Sequence, residues 1–176
     1  MSERAVKFKA PVLFHHIVLS TLLTANCAHF PHSDVDSFVK ETLRRTFPAG
    51  SCIGSTGSFP LRSYLPESDL DLVIVSDGGA TNEAAQVLAV FDALCRSIVE
   101  ADLGQCRDFA FVIRNVEFRN ARTKLAHCVV NNLDVDITVN QTNAMGSNLL
   151  LEEADRAIGD DHIFKKSLLL LKVTTV

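Results

Sequence analysis

The segment Asp69-Leu70-Asp71-Leu72-Val73-Ile74-Val75 is the most informative for the fold. Its β-branched residues predict a strand, and two acids open it. Side chains alternate between the faces of a strand, so Asp69 and Asp71 share a face, about 7 Å apart. Like charges repel at that distance, and a divalent cation such as Mg²⁺, which prefers oxygen ligands, converts the repulsion into binding. The alternative is that both acids lie in a solvated turn and cap the strand.

A second acidic pair repeats this pattern on a later strand, in Asp134-Val135-Asp136-Ile137. If that strand lies beside the first, one of its acids completes a two-metal site. Such a site would stabilise both the attacking and the leaving oxygen of a phosphoryl displacement. The alternative is an ordinary half-exposed strand, which Asp134 alone would satisfy.

A small turn, Gly57-Ser58, stands a short way ahead of Asp69. Glycine followed by serine at a tight turn exposes backbone N–H groups and a hydroxyl that can hold a phosphate. The dipeptide has little weight by itself. It becomes informative because a strand with two acids follows it and a further acid stands on a later strand.

The remaining periodicities predict an α/β protein, with a mixed β-sheet and helices packed on it. Helices are expected at 33–47, 82–101, 143–158 and from 160 or 161 onward, and strands at 69–75, 109–113, 123–130 and 133–139. The stretch 51–58 consists mostly of small residues that favour turns. The expected order is therefore α-β-α-β-β-β-α-α.

The composition excludes several classes of protein. With 176 residues, 47% hydrophobic and 22% charged, the chain is globular rather than disordered. A net charge of -4 excludes a wholesale basic nucleic-acid binder, although a local basic groove remains possible. Five cysteines without a C-x-x-C pair provide no zinc spacing, and no apolar run is long enough for a membrane span. We expect a reduced, intracellular protein, cytoplasmic or nuclear, without a membrane partner.

The N-terminal residues 1–32 have two explanations. Basic residues precede a semi-apolar stretch at 12–28, which is the outline of a signal peptide. Polar side chains interrupt that stretch, and a helix lying on the domain explains it equally well. We expect an N-terminal extension or packing helix.

Together these motifs resemble the DNA polymerase β-type nucleotidyltransferase superfamily. The stretch from Gly57 to Asp71, Gly-Ser-Phe-Pro-Leu-Arg-Ser-Tyr-Leu-Pro-Glu-Ser-Asp-Leu-Asp, is similar in length and pattern to the terminal nucleotidyltransferases. Those enzymes are the poly(A) and poly(U) polymerases that extend RNA 3′ ends. Residues 135–141 and 151–172 look like plant-type members of that group. The resemblance covers about 34–172 and implies the polymerase β-like fold.

The resemblance also implies roles for particular residues. Asp69 and Asp71 would bind both metal ions, Mg²⁺ or Mn²⁺, and Asp136 would bind the one that activates the acceptor 3′-hydroxyl. Asp136 fits better than Asp134, because Ile-Thr-Val-Asn-Gln follows it as the family pattern requires. Gly57 and Ser58 would hold the β- and γ-phosphates of the nucleoside triphosphate (NTP).

Three further nucleotide-binding positions follow from the same resemblance. Ser147 and Asn148 stand where relatives that contact the ribose commonly carry Asn-Thr, and Lys172 stands where a triphosphate-contacting lysine is expected. The family has a central helical domain after the catalytic one. We therefore expect a catalytic domain at 33–160 and, at 161–176, the start of a truncated central domain that would pack on the C-terminal helix.

The resemblance implies template-independent transfer of a nucleotide from NTP to an RNA 3′ end. Two alternatives remain open. The chain could be a truncated module that binds NTP or RNA without turnover, or it could transfer a nucleotide to an acceptor other than RNA.

Overall fold

The computed structural model of the chain describes residues 32–47, 50–76, 83–103, 110–120, 122–159 and 161–175. Apart from His32, the extension or packing helix expected over 1–32 lies outside these residues. The helices are α1 (His32–Arg44), α2 (Glu83–Asp102), α3 (Thr142–Ile158) and α4 (Ile163–Thr175). The strands are β1 (Cys52–Thr56), β2 (Leu70–Val75), β3 (Ile113–Asn120), β4 (Lys124–Val130) and β5 (Leu133–Val139).

The five strands form one mixed sheet in the order β1-β2-β5-β4-β3. Strands β2 and β5 are parallel, and all other neighbours are antiparallel. The mixed sheet with packed helices that the sequence predicts is confirmed. In the described parts of the chain, no helix combines the length and the hydropathy that a bilayer span requires.

Alternation along β5 separates the core from the opposite face of the sheet. Leu133, Val135, Ile137 and Val139 are buried, whereas Asp134, Asp136 and Thr138 between them are exposed or half-buried. The period of two is the strand repeat, so all four apolar side chains point into one layer. Helices α1 and α2 supply the apolar residues that cover this layer. The acids of β5 therefore lie on the other face.

A two-residue turn fixes the register of the β4–β5 hairpin. Asn131 and Asn132 have φ angles of 49° and 69°, the left-handed conformation that asparagine tolerates and that tight hairpins prefer. Val130 consequently pairs with Leu133, and His127 pairs with Asp136. A slip of one residue would move the acids of β5 into the core.

Strand β1 was not expected from the sequence. Its residues, Cys-Ile-Gly-Ser-Thr, read as a turn-rich stretch, yet they pair antiparallel with β2 along their whole length. Small residues are favourable here because α3 approaches closely. The terminal methyl of Met145 lies 3.6 Å from where a Cβ on Gly54 would stand. The strand therefore forms through backbone hydrogen bonds with β2, and its side chains show no strand pattern.

The strand expected at 109–113 is wrong. The observed strand, β3, runs from Ile113 to Asn120 and begins where the predicted one ends. Most of its side chains are exposed, because it is an edge strand. A register irregularity lies between Arg114 and Glu117, where Asn115 has a φ of 50°. An exposed, bulged edge strand lacks the apolar alternation on which the prediction depended.

Buried Asp155 holds α3 to α4. Its carboxylate contacts His162 Nδ1 at 2.7 Å and accepts a hydrogen bond from the backbone N–H of Lys165 at 3.3 Å. The bond with His162 holds the pKa of Asp155 below its ordinary value. Gly159, with a φ of 75°, ends α3, and its N–H donates to the Asp155 carbonyl. The two helices thus form a closed hairpin.

Candidate active site

Three carboxylates meet at one end of the parallel strand pair. Asp69 lies just before β2, Asp71 is its second residue, and Asp71 pairs with Asp136 of β5. Each residue offers one oxygen, and these three oxygens all lie within 4.8 Å of one another. Asp134 does not belong to this group; it is exposed and pairs with Val129. We refer to Asp69, Asp71 and Asp136 as the acidic cluster.

The electrostatics of the acidic cluster favour a bound cation. Burial raises the pKa of Asp71 to about 6, and the negative charges of Asp69 and Asp136 add to the shift, while Lys172 opposes it. Carboxylates in mutual repulsion, two of them half-buried, are the donor set that a hard divalent ion such as Mg²⁺ or Mn²⁺ satisfies. The residues present therefore fit the metal ions that the resemblance implies.

Gly57 lies directly against the acidic cluster. Its φ is 70°, in the left-handed region that favours glycine. A Cβ at this position would overlap the Oδ2 oxygen of Asp71 and lie 3.2 Å from its Cγ. The turn after β1 thus needs glycine for two reasons, its backbone conformation and the space that the Asp71 carboxylate occupies.

The Asn148 side chain fastens this turn to α3. The backbone N–H of Gly57 donates to Asn148 Oδ1 at 3.2 Å, and Asn148 Nδ2 donates to the Gly57 carbonyl at 3.0 Å. An amide has two N–H donors and two acceptor lone pairs. One donor and one lone pair therefore remain for another partner, such as a bound ligand.

An open cleft lies between the acidic cluster and α3. It is lined by five of the eight residues that sequence analysis selected, namely Gly57, Asp71, Asp136, Ser147 and Asn148. Thr56, Thr123, Thr138 and Gln141 also line the cleft and add polar groups to it. The cleft thus presents carboxylates on one side and helix α3 on the other.

The other three selected residues stand beside the cleft. Asp69 is exposed and belongs to the acidic cluster. Ser58 follows Gly57, and its carbonyl accepts a hydrogen bond from the N–H of Ser63. Lys172 Nζ donates to the carbonyl of Ser63 at 2.9 Å, and its charge lowers the pKa of Asp71. The C-terminal lysine thus reaches the loop between β1 and β2.

Sequence analysis missed His127. Its ring is buried in β4, and Nδ1 lies 2.7 Å from Asp136 Oδ1. Arg119 also approaches Asp136 Oδ1, at 4.0 Å. A histidine within the apolar segment Leu-Ala-His-Cys-Val-Val was the available signal, but its neighbour became known only with the β4–β5 register.

Comparisons with known proteins show the fold. No family model matches the chain, and no curated protein matches it significantly. Among solved structures, a cytoplasmic RNA terminal U-transferase matches at 19% identity and a TM-score of 0.64, over 91% of this chain and 43% of that one. Cid1 poly(U) polymerase with Mg and 3′-dATP bound matches at 18% identity and a TM-score of 0.66, over 91% and 45%. The polymerase core of TRAMP, an RNA surveillance complex, matches at 19% identity and a TM-score of 0.59, over 80% and 39%.

These matches confirm the fold that the resemblance implies, that of the polymerase β-like nucleotidyltransferases. The chain spans less than half the length of each of these structures. The chemistry and the substrates of the chain therefore have to be argued from its own residues.

Proposed function

We propose that the chain is the catalytic domain of an RNA 3′-terminal nucleotidyltransferase of the poly(A) or poly(U) polymerase type. The observation that carries this proposal is the convergence of Asp69, Asp71 and Asp136 on adjacent parallel strands. The proposal is supported by the fold, which the chain shares with a structure described as an RNA terminal U-transferase.

The reaction joins the acceptor 3′-oxygen, whose hydroxyl proton is released, to the α-phosphorus of the NTP. The bond between that phosphorus and the bridging oxygen of the β-phosphate breaks, and pyrophosphate leaves. Asp69 and Asp71 would hold two divalent cations, and Asp136 would hold the one on the acceptor side. Bound there, Mg²⁺ or Mn²⁺ would lower the pKa of the 3′-hydroxyl and neutralise charge on the attacking and leaving oxygens.

The other residues of the site would bind and orient the nucleotide. Ser58, in the turn after β1, would hold the terminal phosphates with its hydroxyl and backbone N–H. Gly57 would contribute mainly by its shape, because its N–H already donates to Asn148. Lys172 would contact the triphosphate as a point charge.

Helix α3 would form the ribose side of the site. Ser147 donates its hydroxyl proton to the carbonyl of Asn143, so its oxygen remains an acceptor for a sugar hydroxyl. Asn148 would use the amide donor that Gly57 leaves unused.

A matched pair of variants on β5 tests this assignment. Asp136→Ala is expected to remove Mg²⁺-dependent nucleotide transfer, because even groups that only support a metal ligand contribute about 10–100-fold. Asp134→Ala should leave most of the activity, since Asp134 is exposed and lies outside the acidic cluster. Transfer of labelled nucleotide to an RNA oligonucleotide measures both. Equal losses would show that the wrong acid of the strand has been chosen.

Residues 161–176 are proposed to begin a central helical domain, with the catalytic domain at 33–160. The α3–α4 hairpin exposes a set of large apolar side chains: Leu149, Leu150, Ile158, Ile163, Leu170 and Leu171. Apolar patches of this kind are typical of surfaces that another domain covers. The match covers less than half of the length of each of these solved structures, which is consistent with such a domain.

The 176-residue chain by itself is accordingly expected to self-associate and to transfer nucleotides poorly. Burying the exposed leucines on association contributes roughly 25 cal/mol per Å² of apolar surface removed from water. Without the central domain, one wall of the nucleotide site would be incomplete. Size-exclusion chromatography and an RNA-extension assay with Mg²⁺ or Mn²⁺ measure the two effects. A clean monomer that extends RNA at about 1 s⁻¹ or faster would contradict the division into domains. A chain that binds NTP without turnover would instead support the alternative of a binding module.

A further inference from the structure

His127 is a buried polar side chain in direct contact with the acidic cluster, and the proposed function does not use it. Its ring is only 8% exposed and lies between the two acids of β5. Nδ1 is 2.7 Å from Asp136 Oδ1, and Nε2 is 3.4 Å from Asp134 Oδ1. This arrangement follows from the sheet register, because His127 of β4 pairs with Asp136.

The direction of the short contact follows from the chemistry of the two groups. An ionised carboxylate only accepts hydrogen bonds, so Nδ1 carries the proton and donates it to Asp136. One oxygen of Asp136 is therefore engaged by His127, and the other is left for a further partner. The bond fixes the rotation of the carboxylate, which otherwise turns easily about its terminal torsion.

The other basic side chain near Asp136, that of Arg119, cannot do the same. Arg119 Nη1 stands 4.0 Å from the same oxygen, and its side chain is 46% exposed. At that distance and exposure, solvent and salt screen the interaction. Among the described residues that form a hydrogen bond or ion pair with the Asp136 side chain, His127 is the one that is both close and buried.

We propose that His127 is a positioning residue for Asp136. It holds the carboxylate in the orientation in which Asp136 binds a divalent cation, and it acts only through Asp136. The inference rests on the metal-binding role of Asp136 in the proposed function. Asp134, at 61% side-chain exposure and 3.4 Å from Nε2, lies outside the cation site.

Three substitutions separate the two contacts of the ring. His127→Asn places an amide N–H near the position of Nδ1 and keeps the bond to Asp136. His127→Gln places an amide N–H near the position of Nε2 and keeps only the contact with Asp134. His127→Phe keeps the shape of the ring and removes both.

The experiment measures the affinity of the 176-residue chain for Mn²⁺ alone. Binding is detected by electron paramagnetic resonance as a loss of the signal of free Mn²⁺. His127→Phe and His127→Gln are expected to weaken binding about 10–100-fold, the usual effect of removing a group that supports a metal ligand. His127→Asn should retain affinity within about tenfold of the unsubstituted chain. Thermal unfolding in the absence of metal shows which variants remain folded.

His162→Phe is the matched control. His162 makes the same 2.7 Å contact with a carboxylate, that of Asp155, at the α3–α4 junction. Losing it should lower the unfolding temperature and leave Mn²⁺ affinity unchanged. A folded His127→Phe variant that binds Mn²⁺ like the unsubstituted chain would overturn the inference.

If His127→Phe does not fold, the inference is tested by comparing the Mn²⁺ affinities of His127→Asn and His127→Gln. Tighter Mn²⁺ binding by the Asn variant supports the inference, and equal binding by the two overturns it. The proposed function is tested separately, with the chain joined to a central domain. If that protein binds Mn²⁺ through Asp136 but does not transfer nucleotides, the proposed function is contradicted and the role of His127 remains.

Discussion

Replacing Asp71 by asparagine is expected to abolish Mg²⁺-dependent nucleotide transfer and, without metal at pH 7, to make the protein more stable. In the proposed function the Asp71 carboxylate holds both metal ions. The loss of activity should therefore exceed about 100-fold, which is the upper range for groups that only support a metal ligand. Stability should rise because the substitution removes a half-buried charge from beside Asp69 and Asp136.

The pH dependence of this gain has a definite sign. The pKa of Asp71 rises from its ordinary value of about 4 to about 6 in the folded protein. The folded state therefore binds more protons than the unfolded state between about pH 4 and 6, and metal-free stability falls as pH rises through that window. The shift corresponds to roughly 3 kcal/mol, which solvent screening at a half-exposed group reduces to about 1 kcal/mol.

Thermal unfolding of the two proteins with EDTA, at pH 4 and at pH 7, measures this effect. Asp71→Asn should unfold at a higher temperature than the unsubstituted chain at pH 7 and at nearly the same temperature at pH 4. Asp92→Asn, an exposed position on α2, is the control and should change neither stability nor activity. Wild-type transfer by Asp71→Asn, tested with a central domain attached, would exclude the two-metal assignment.

Gly57→Ala is expected to be as damaging to activity as the loss of an acid. The added methyl group would occupy the space of the Asp71 carboxylate, so Asp71 must move or the turn must open. A displacement of about 1 Å at a reacting group typically costs 100-fold in rate. The left-handed backbone adds a loss of about 1 kcal/mol in folding free energy. Mn²⁺ affinity, transfer rate and thermal unfolding report these effects separately.

Gly146→Ala provides the same chemical change in a different setting. Gly146 lies within α3, and a Cβ there meets nothing within 4 Å. The substitution should stabilise the protein by about 0.5–1 kcal/mol, the usual difference between glycine and alanine inside a helix. Equal effects of the two substitutions on Mn²⁺ binding would contradict the steric role of Gly57.

Much of the acidic cluster could be predicted because it depends on short-range patterns. Asp69 and Asp71 share a face by strand alternation, and Val135 and Ile137 on either side of Asp136 mark a strand with one buried face. The longer motif from Gly57 to Asp71 identified the fold. Which of the two acids of β5 joins the cluster was inferred from the resemblance.

Other features depended on contacts between distant parts of the chain. Strand β1 exists because β2 offers it a backbone partner, although its small residues have little strand preference. The true position of β3 is set by pairing with β4 at an exposed, bulged edge. Neither element has a side-chain pattern that local analysis can detect.

The class of fold and the acids that could bind metal follow from the amino-acid sequence, because periodicity and motif spacing are local properties of the chain. How those acids are held depends on the folded chain. Asn148 reaches Gly57 across 91 positions, and His127 meets Asp136 through the register of a hairpin. Hydrogen bonds of this kind join side chains whose separation along the chain has no fixed relation to their distance in space, so folding alone establishes them.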